Sequence, residues 1–152
     1  MSRHYGSLIG SVAFSLMVLL LLSGQGCPQG AGLGVPGVEE VRYTNVTPAE
    51  AMALIQEHQD DPSFVILDVR SGEEFAAGHI EGAVSLCLLC SDPAFRDALA
   101  DIDRSLTFLV YCRTGRRSAN ASGIMAAEGF TNVYNMTGGI VEWQSLGLPV
   151  VK

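Results

Sequence analysis

The chain has 152 residues, with nine Lys or Arg against sixteen Asp or Glu, for a formal net charge of −7. At roughly 150 residues per domain, that length allows one folded unit and excludes a two-domain enzyme. Hydrophobic residues at 48% and charged residues at 16% exclude a disordered chain.

Leu8 to Leu22 is a run of fifteen residues without a charge, preceded by Arg3 and followed by small residues up to Gly26. A membrane span needs about 20 residues. A basic start, an apolar centre and a small-residue end instead compose an export signal, expected over residues 1–26. Cys27 follows directly and resembles the lipidated cysteine of a bacterial lipoprotein signal, although Gly24 and Gln25 stand where that pattern prefers an aliphatic and a small residue. Gly24 and Gly26 equally satisfy an ordinary small-residue cut, and an uncleaved anchor is the third alternative. Cleavage by either route predicts an exported protein of the periplasm or cell envelope, attached to the membrane through its N-terminus where Cys27 carries lipid. Without Arg3 the remainder holds eight basic against sixteen acidic residues, a formal charge of −8, and Lys152 is its only lysine. Nucleic acid is therefore not an expected partner. From Pro28 to Glu40 the sequence is rich in Gly and Pro without periodicity, so residues 27–43 read as a flexible tether and residues 44–152 as the folded domain.

Thr47, Pro48 and Glu50 open that domain as a helix start, with threonine as N-cap, proline in the first turn and glutamate closing a capping box. The helix is predicted to run to about His58. Phe64–Val69 and Thr107–Tyr111 are continuous apolar runs with the length and composition of buried parallel strands. Asn132–Met136 is a weaker third strand, and Ala83–Leu86 a short fourth. Helices are predicted at Ser71–Ala77, Asp92–Ala100 and Ser118–Glu128, the last stopped by Gly129. Gly138 and Gly139 open a short helix in which Trp143 packs as core. Strands alternating with helices imply an α/β fold, a mainly parallel sheet with helices on both faces. Ligands of such sheets bind beyond the carboxyl ends of the strands.

The segment after Thr107–Tyr111 carries the most information: Cys112, Arg113, Thr114, Gly115, Arg116, Arg117 and Ser118. A thiol between a strand end and a helix start meets converging backbone N–H groups and the positive end of the helix dipole, which favours thiolate and bound anions. Three arginines within five residues add fixed positive charge, and Gly115 permits the bend that such a cradle needs. The Cys112 pKa is expected to be depressed. A free cysteine at a strand end is ordinarily a small buried hydrophobe. Three neighbouring guanidinium groups argue against inert burial, because each would require a buried partner.

These residues resemble the single-domain rhodanese-like sulfurtransferases, in which the active-site cysteine opens a six-residue loop, here Cys112 to Arg117. Further markers occur in order: Asp68, Val69 and Arg70 after the first strand, Glu74 and Phe75, then Gly78 through Ala83, and finally Gly138, Gly139, Ile140 and Trp143. The nearest rival is the cysteine-dependent phosphatases, whose signature places five residues between cysteine and arginine. Here four lie between Cys112 and Arg117, a tighter cradle better suited to a single sulfur than to a phosphoryl group.

The resemblance implies a two-step sulfur transfer through a Cys112 persulfide, from thiosulfate or a similar small anionic donor to a thiol or cyanide acceptor, with no cofactor and no metal. Arg113, Thr114, Gly115, Arg116 and Arg117 would form the substrate site, with Arg113 and Arg116 recruiting the anion. Arg117 has a competing role, folding inward to hold the loop through backbone carbonyls or a carboxylate. Asp68 and Arg70 read as a structural pair at a strand end. His79 would hold the family's turn before a strand by hydrogen bonds. A monomer is expected. Cys87 and Cys90 depart from the family pattern, and a local disulfide, pairing with Cys112, two buried thiols or a metal site with His79 and Cys112 compete for them. Two other classes of function stay open: a thiol-disulfide redox protein using Cys87 and Cys90, and a non-catalytic module that binds sulfur or anions.

Overall fold

Capping and strand pairing fix the order of elements in the computed structural model, which describes residues 43–88 and 92–152. The expected export signal, the tether up to residue 42, Cys27 and Cys90 lie outside the described residues. Strand β1 (Thr44–Val46) leads into helix α1 (Pro48–Glu57). The Thr47 N–H and hydroxyl donate to Glu50 Oε2 at 2.7 and 2.8 Å, and the Glu50 N–H returns a bond to Thr47 Oγ1 at 3.3 Å, so the capping box forms as read from sequence. Strand β2 (Phe64–Asp68) precedes helix α2 (Gly72–Ala77), which Ser71 and Glu74 cap in the same reciprocal way. Strand β3 (Val84–Ser85), helix α3 (Asp92–Ala100), strand β4 (Thr107–Tyr111), helix α4 (Arg116–Ala127), strand β5 (Asn132–Met136) and helix α5 (Gly139–Ser145) complete the domain.

The sheet has five strands, every pair parallel, in the order β1-β5-β4-β2-β3. Strand β4 lies at its centre, paired in register from Thr107 to Tyr111 with Phe64 to Asp68. Its side chains alternate between two cores, as a period of two requires. Phe108, Val110 and Cys112 join α3 and α4 residues such as Phe95, Leu99, Ile124 and Met125 on one face. Leu109 and Tyr111 meet Ala51, Ile140 and Trp143 of α1 and α5 on the other. Each large side chain buried this way contributes about 1.5–3 kcal/mol. With the strands parallel, their carboxyl ends collect along one edge of the sheet.

Several boundaries differ from expectation, each for a local reason. Strand β1 carries only three residues, too few for a periodic signal, and exists by pairing Thr44, Asn45 and Val46 with β5. Strand β2 stops at Asp68 because that side chain turns to hold Arg70. The expected strand Ala83–Leu86 shrinks to Val84–Ser85, while the Leu86 N–H reaches Asp68 O at the end of β2 and the Leu88 N–H reaches Val69 O just beyond it. Helix α4 begins at Arg116, two residues before the expected Ser118, because Gly115 caps it in the left-handed region at φ +89°. Trp143 is 1% exposed, and its indole N–H donates to Pro149 O at 2.9 Å. Among the described residues no helix is long and apolar enough to cross a membrane.

Candidate active site

Because residue 112 continues the alternation of β4, the cysteine points toward the face covered by α4, where the N-terminus of that helix meets it. The Gly115 N–H donates to Cys112 Sγ at 3.2 Å. Ser118 Oγ, in the first turn of α4, lies 3.6 Å from the sulfur and 3.0 Å from Gly115 O. Its single proton serves one acceptor at a time, and an ionised sulfur is the stronger of the two. Burial of the side chain, which is only 1% exposed, pushes the thiol pKa up. The Ser118 hydroxyl and N–H and the Thr114 and Gly115 N–H groups outweigh that penalty, and Cys112 sits below its ordinary value. The thiol is free.

The loop keeps this shape through contacts from behind. The Ile140 N–H donates to Cys112 O at 2.9 Å and the Val141 N–H to Arg113 O at 3.2 Å. The first amides of α5 thus take the loop's carbonyls, leaving loop N–H groups to turn toward the sulfur. Glycine is required at two points of this contact. A β-carbon on Gly115 would lie 3.0 Å from Gly138 N and 3.2 Å from Thr137 Cα. One on Gly139, at φ +61°, would lie 2.5 Å from Cys112 O.

Of the three arginines, Arg113 and Arg116 are exposed, as is Thr114. Arg117 folds inward: its two terminal nitrogens each bond one carboxylate oxygen of Glu74, both at 2.8 Å. The carboxylate of the inward-folding role is therefore Glu74. Beside them Asp68 and Arg70 form a buried pair, with Nε 2.9 Å from both carboxylate oxygens and Nη2 at 2.6 Å. Arg70 also donates to Gly78 O at 2.8 Å and lies over the Tyr111 ring, 5.6 Å from its centre. The His79 ring stacks on Phe75 at 3.8 Å and its Nδ1 lies 3.1 Å from Phe75 O, while its backbone bridges Val151. None of these last three groups contacts Cys112 through a hydrogen bond among the described residues.

Cys87 is disulfide-bonded, whereas Cys112 is not, so these two are not joined to each other. No group of three or more His, Cys, Asp or Glu among the described residues is placed to hold a metal. A groove of about 640 Å³ lined by Met52, Ile55, His58, Phe64 and Ile66 includes no residue of the Cys112 loop. Sequence reasoning missed three members of the site. Ser118 reads only as a helix start, although a hydroxyl in the first turn of a helix that comes after a nucleophile is a usable signal. Glu74 reads only as a marker of the family pattern, with no role attached. The amides of α5 leave no trace in side-chain chemistry.

The loop can stabilise one negatively charged sulfur at its floor and attract an anion at its rim. Residues 47–146 match the rhodanese-like domain. Thiosulfate sulfurtransferase GlpE of Pseudomonas entomophila is 32% identical over 103 residues, 68% of this chain and 86% of that protein. The tRNA uridine(34) hydroxylase of Pectobacterium carotovorum is 33% identical over an alignment of 119 residues that covers 72% of this chain and 31% of the hydroxylase. Among solved structures, a rhodanese-related protein from Thermoplasma volcanium superposes with a TM-score of 0.59 at 27% identity, covering 72% of this chain and 98% of that one. With the motif order, the parallel sheet and the cysteine loop, these matches establish that the chain belongs to the rhodanese-like domain family.

Proposed function

We propose that this chain is a sulfurtransferase that carries sulfane sulfur on Cys112. The supporting observation is a free thiol of lowered pKa on the floor of a loop whose N–H groups and Ser118 hydroxyl face the sulfur. In the first step the Cys112 thiolate attacks the outer sulfur of thiosulfate. The S–S bond of the donor breaks, its electron pair leaves with sulfite, and Cys112 becomes a persulfide anion. In the second step cyanide or a thiolate attacks the terminal sulfur and releases thiocyanate or a new persulfide, returning the Cys112 thiolate. No net oxidant or reductant is consumed. The loop N–H groups stabilise the persulfide charge, and exposed Arg113 and Arg116 draw the donor's sulfonate end to the rim. Arg117 supports the loop.

The domain works as a monomer outside the cytoplasm, tethered through residues 27–43 and held at the membrane where Cys27 is lipidated. The disulfide at Cys87 supports that placement, because cytosolic thiols are kept reduced. The hydroxylase match spans under a third of that protein and does not carry its activity here. The test is thiosulfate:cyanide sulfurtransfer by the wild type and Cys112→Ser. Turnover lost only in the variant supports the reading, and equal turnover in both overturns it.

A further inference from the structure

Arg117 lies in the first turn of α4, between Arg116 and Ser118, whose hydroxyl faces the Cys112 sulfur at 3.6 Å. A guanidinium presents two parallel N–H groups as a fork that fits a carboxylate or a tetrahedral oxyanion. Here that fork is filled. Glu74 Oε1 and Oε2 each take one terminal nitrogen at 2.8 Å, with the two side chains only 18% and 30% exposed. The carboxylate cannot swing away freely, because Oε2 also accepts the Ser71 N–H at 3.2 Å and so closes the cap of α2. One positive charge of the cradle is thereby matched by a negative one.

We infer that Glu74 is a specificity-determining positioning residue of the Cys112 loop: by filling the fork of Arg117 it withholds an inward guanidinium from tetrahedral oxyanions such as phosphate, and leaves anion recognition to Arg113 and Arg116 at the rim. This rests on the sulfurtransferase reading for its purpose. A persulfide places a single charge on one sulfur, which the loop N–H groups already satisfy. The donor's remaining charge belongs to the sulfite that must leave, and a free guanidinium at the floor would retain it. A phosphoryl group, by contrast, brings three oxygens inward and needs that cation.

The experiment is titration with inorganic phosphate at fixed ionic strength, read by calorimetry, for the wild type, Glu74→Gln, and Glu74→Gln combined with Arg117→Ala. Glu74→Gln is expected to bind phosphate about tenfold more tightly than the wild type, and the double variant to lose that gain. A merely structural role would weaken phosphate binding instead. Equal or weaker binding by Glu74→Gln overturns the inference, as does a gain that persists without Arg117. Where Glu74→Gln fails to fold, Glu74→Asp decides: it keeps the charge but, one methylene shorter, no longer reaches the fork of Arg117 at hydrogen-bond distance, so a gain of a few-fold is expected and no gain overturns the inference. The titration requires no sulfur transfer. A phosphate gain in a protein that takes no sulfur from thiosulfate refutes the function but not the role of Glu74, and persulfide formation without the gain does the reverse.

Discussion

Replacing Gly139 by alanine probes the contact between α5 and the Cys112 loop. The new β-carbon would stand 2.5 Å from Cys112 O and from Arg113 C, and 2.6 Å from Arg113 O. All three are backbone atoms, so no side chain can move aside, and loop and helix must separate by about 0.5–1 Å to reach ordinary contact. That separation disrupts the bonds from Ile140 N–H to Cys112 O and from Val141 N–H to Arg113 O. Two lost hydrogen bonds at about 1 kcal/mol each, with about 1 kcal/mol for alanine at φ +61°, give a destabilisation of about 3 kcal/mol. A displacement of this size at the nucleophile lowers kcat by about 100-fold. Gly147→Ala is the control: φ is +72°, nothing lies within 4 Å, and only the conformational cost of about 1 kcal/mol applies. Urea unfolding and thiosulfate:cyanide kinetics of both variants check this. Equal destabilisation of the two, or near wild-type kcat for Gly139→Ala, would refute a role for the α5 amides in holding the Cys112 loop.

Ser118→Ala removes a donor to the sulfur and should raise the Cys112 pKa, read as a shift to higher pH of the midpoint of iodoacetamide alkylation; an unmoved midpoint contradicts the role of the hydroxyl. Arg113→Ala and Arg116→Ala should each raise KM for thiosulfate about three- to fivefold and flatten its salt dependence, whereas Arg117→Ala should lower kcat and stability, a division that equal small effects at all three positions would refute. Glu74 titrates at about 2 in the fold, held down chiefly by its hydrogen bond from Arg117, against an ordinary 4.5. A depressed carboxylate stabilises the fold fully above its unfolded pKa and loses that contribution as pH falls toward the folded one. Wild type should therefore exceed Glu74→Gln in stability by about 1–2 kcal/mol at pH 7, after allowance for solvent screening, with the gap closing between pH 4.5 and 2. Acid titration of urea midpoints tests this, and a gap that persists at pH 2 would argue against it.

The features legible in the sequence are those that local chemistry encodes. Thr47 with Glu50 announced α1, the apolar runs of β2 and β4 announced buried parallel strands, and Cys112 among arginines announced the loop. The hidden features depend on pairing between distant segments. Strand β1 has no periodicity of its own and is defined by hydrogen bonds to β5. The partner of Arg117 lies 43 positions away, in Glu74, whose sequence neighbourhood gives no sign of the pairing. Ser118 was visible only as a helix start, since its distance to the sulfur depends on where Gly115 places the first turn of α4. The glycines before Trp143 suggested a turn, but their close approach to the loop carbonyls arises from tertiary packing.

In the proposed reaction sulfur resides on Cys112 between the two half-reactions, and peptide mass spectrometry of the protein after incubation with thiosulfate reads this out. One sulfur, about 32 Da, is expected on the Cys112 peptide alone. Sulfur on the peptide of Cys87 and Cys90 with Cys112 unmodified, or no addition anywhere, would contradict it.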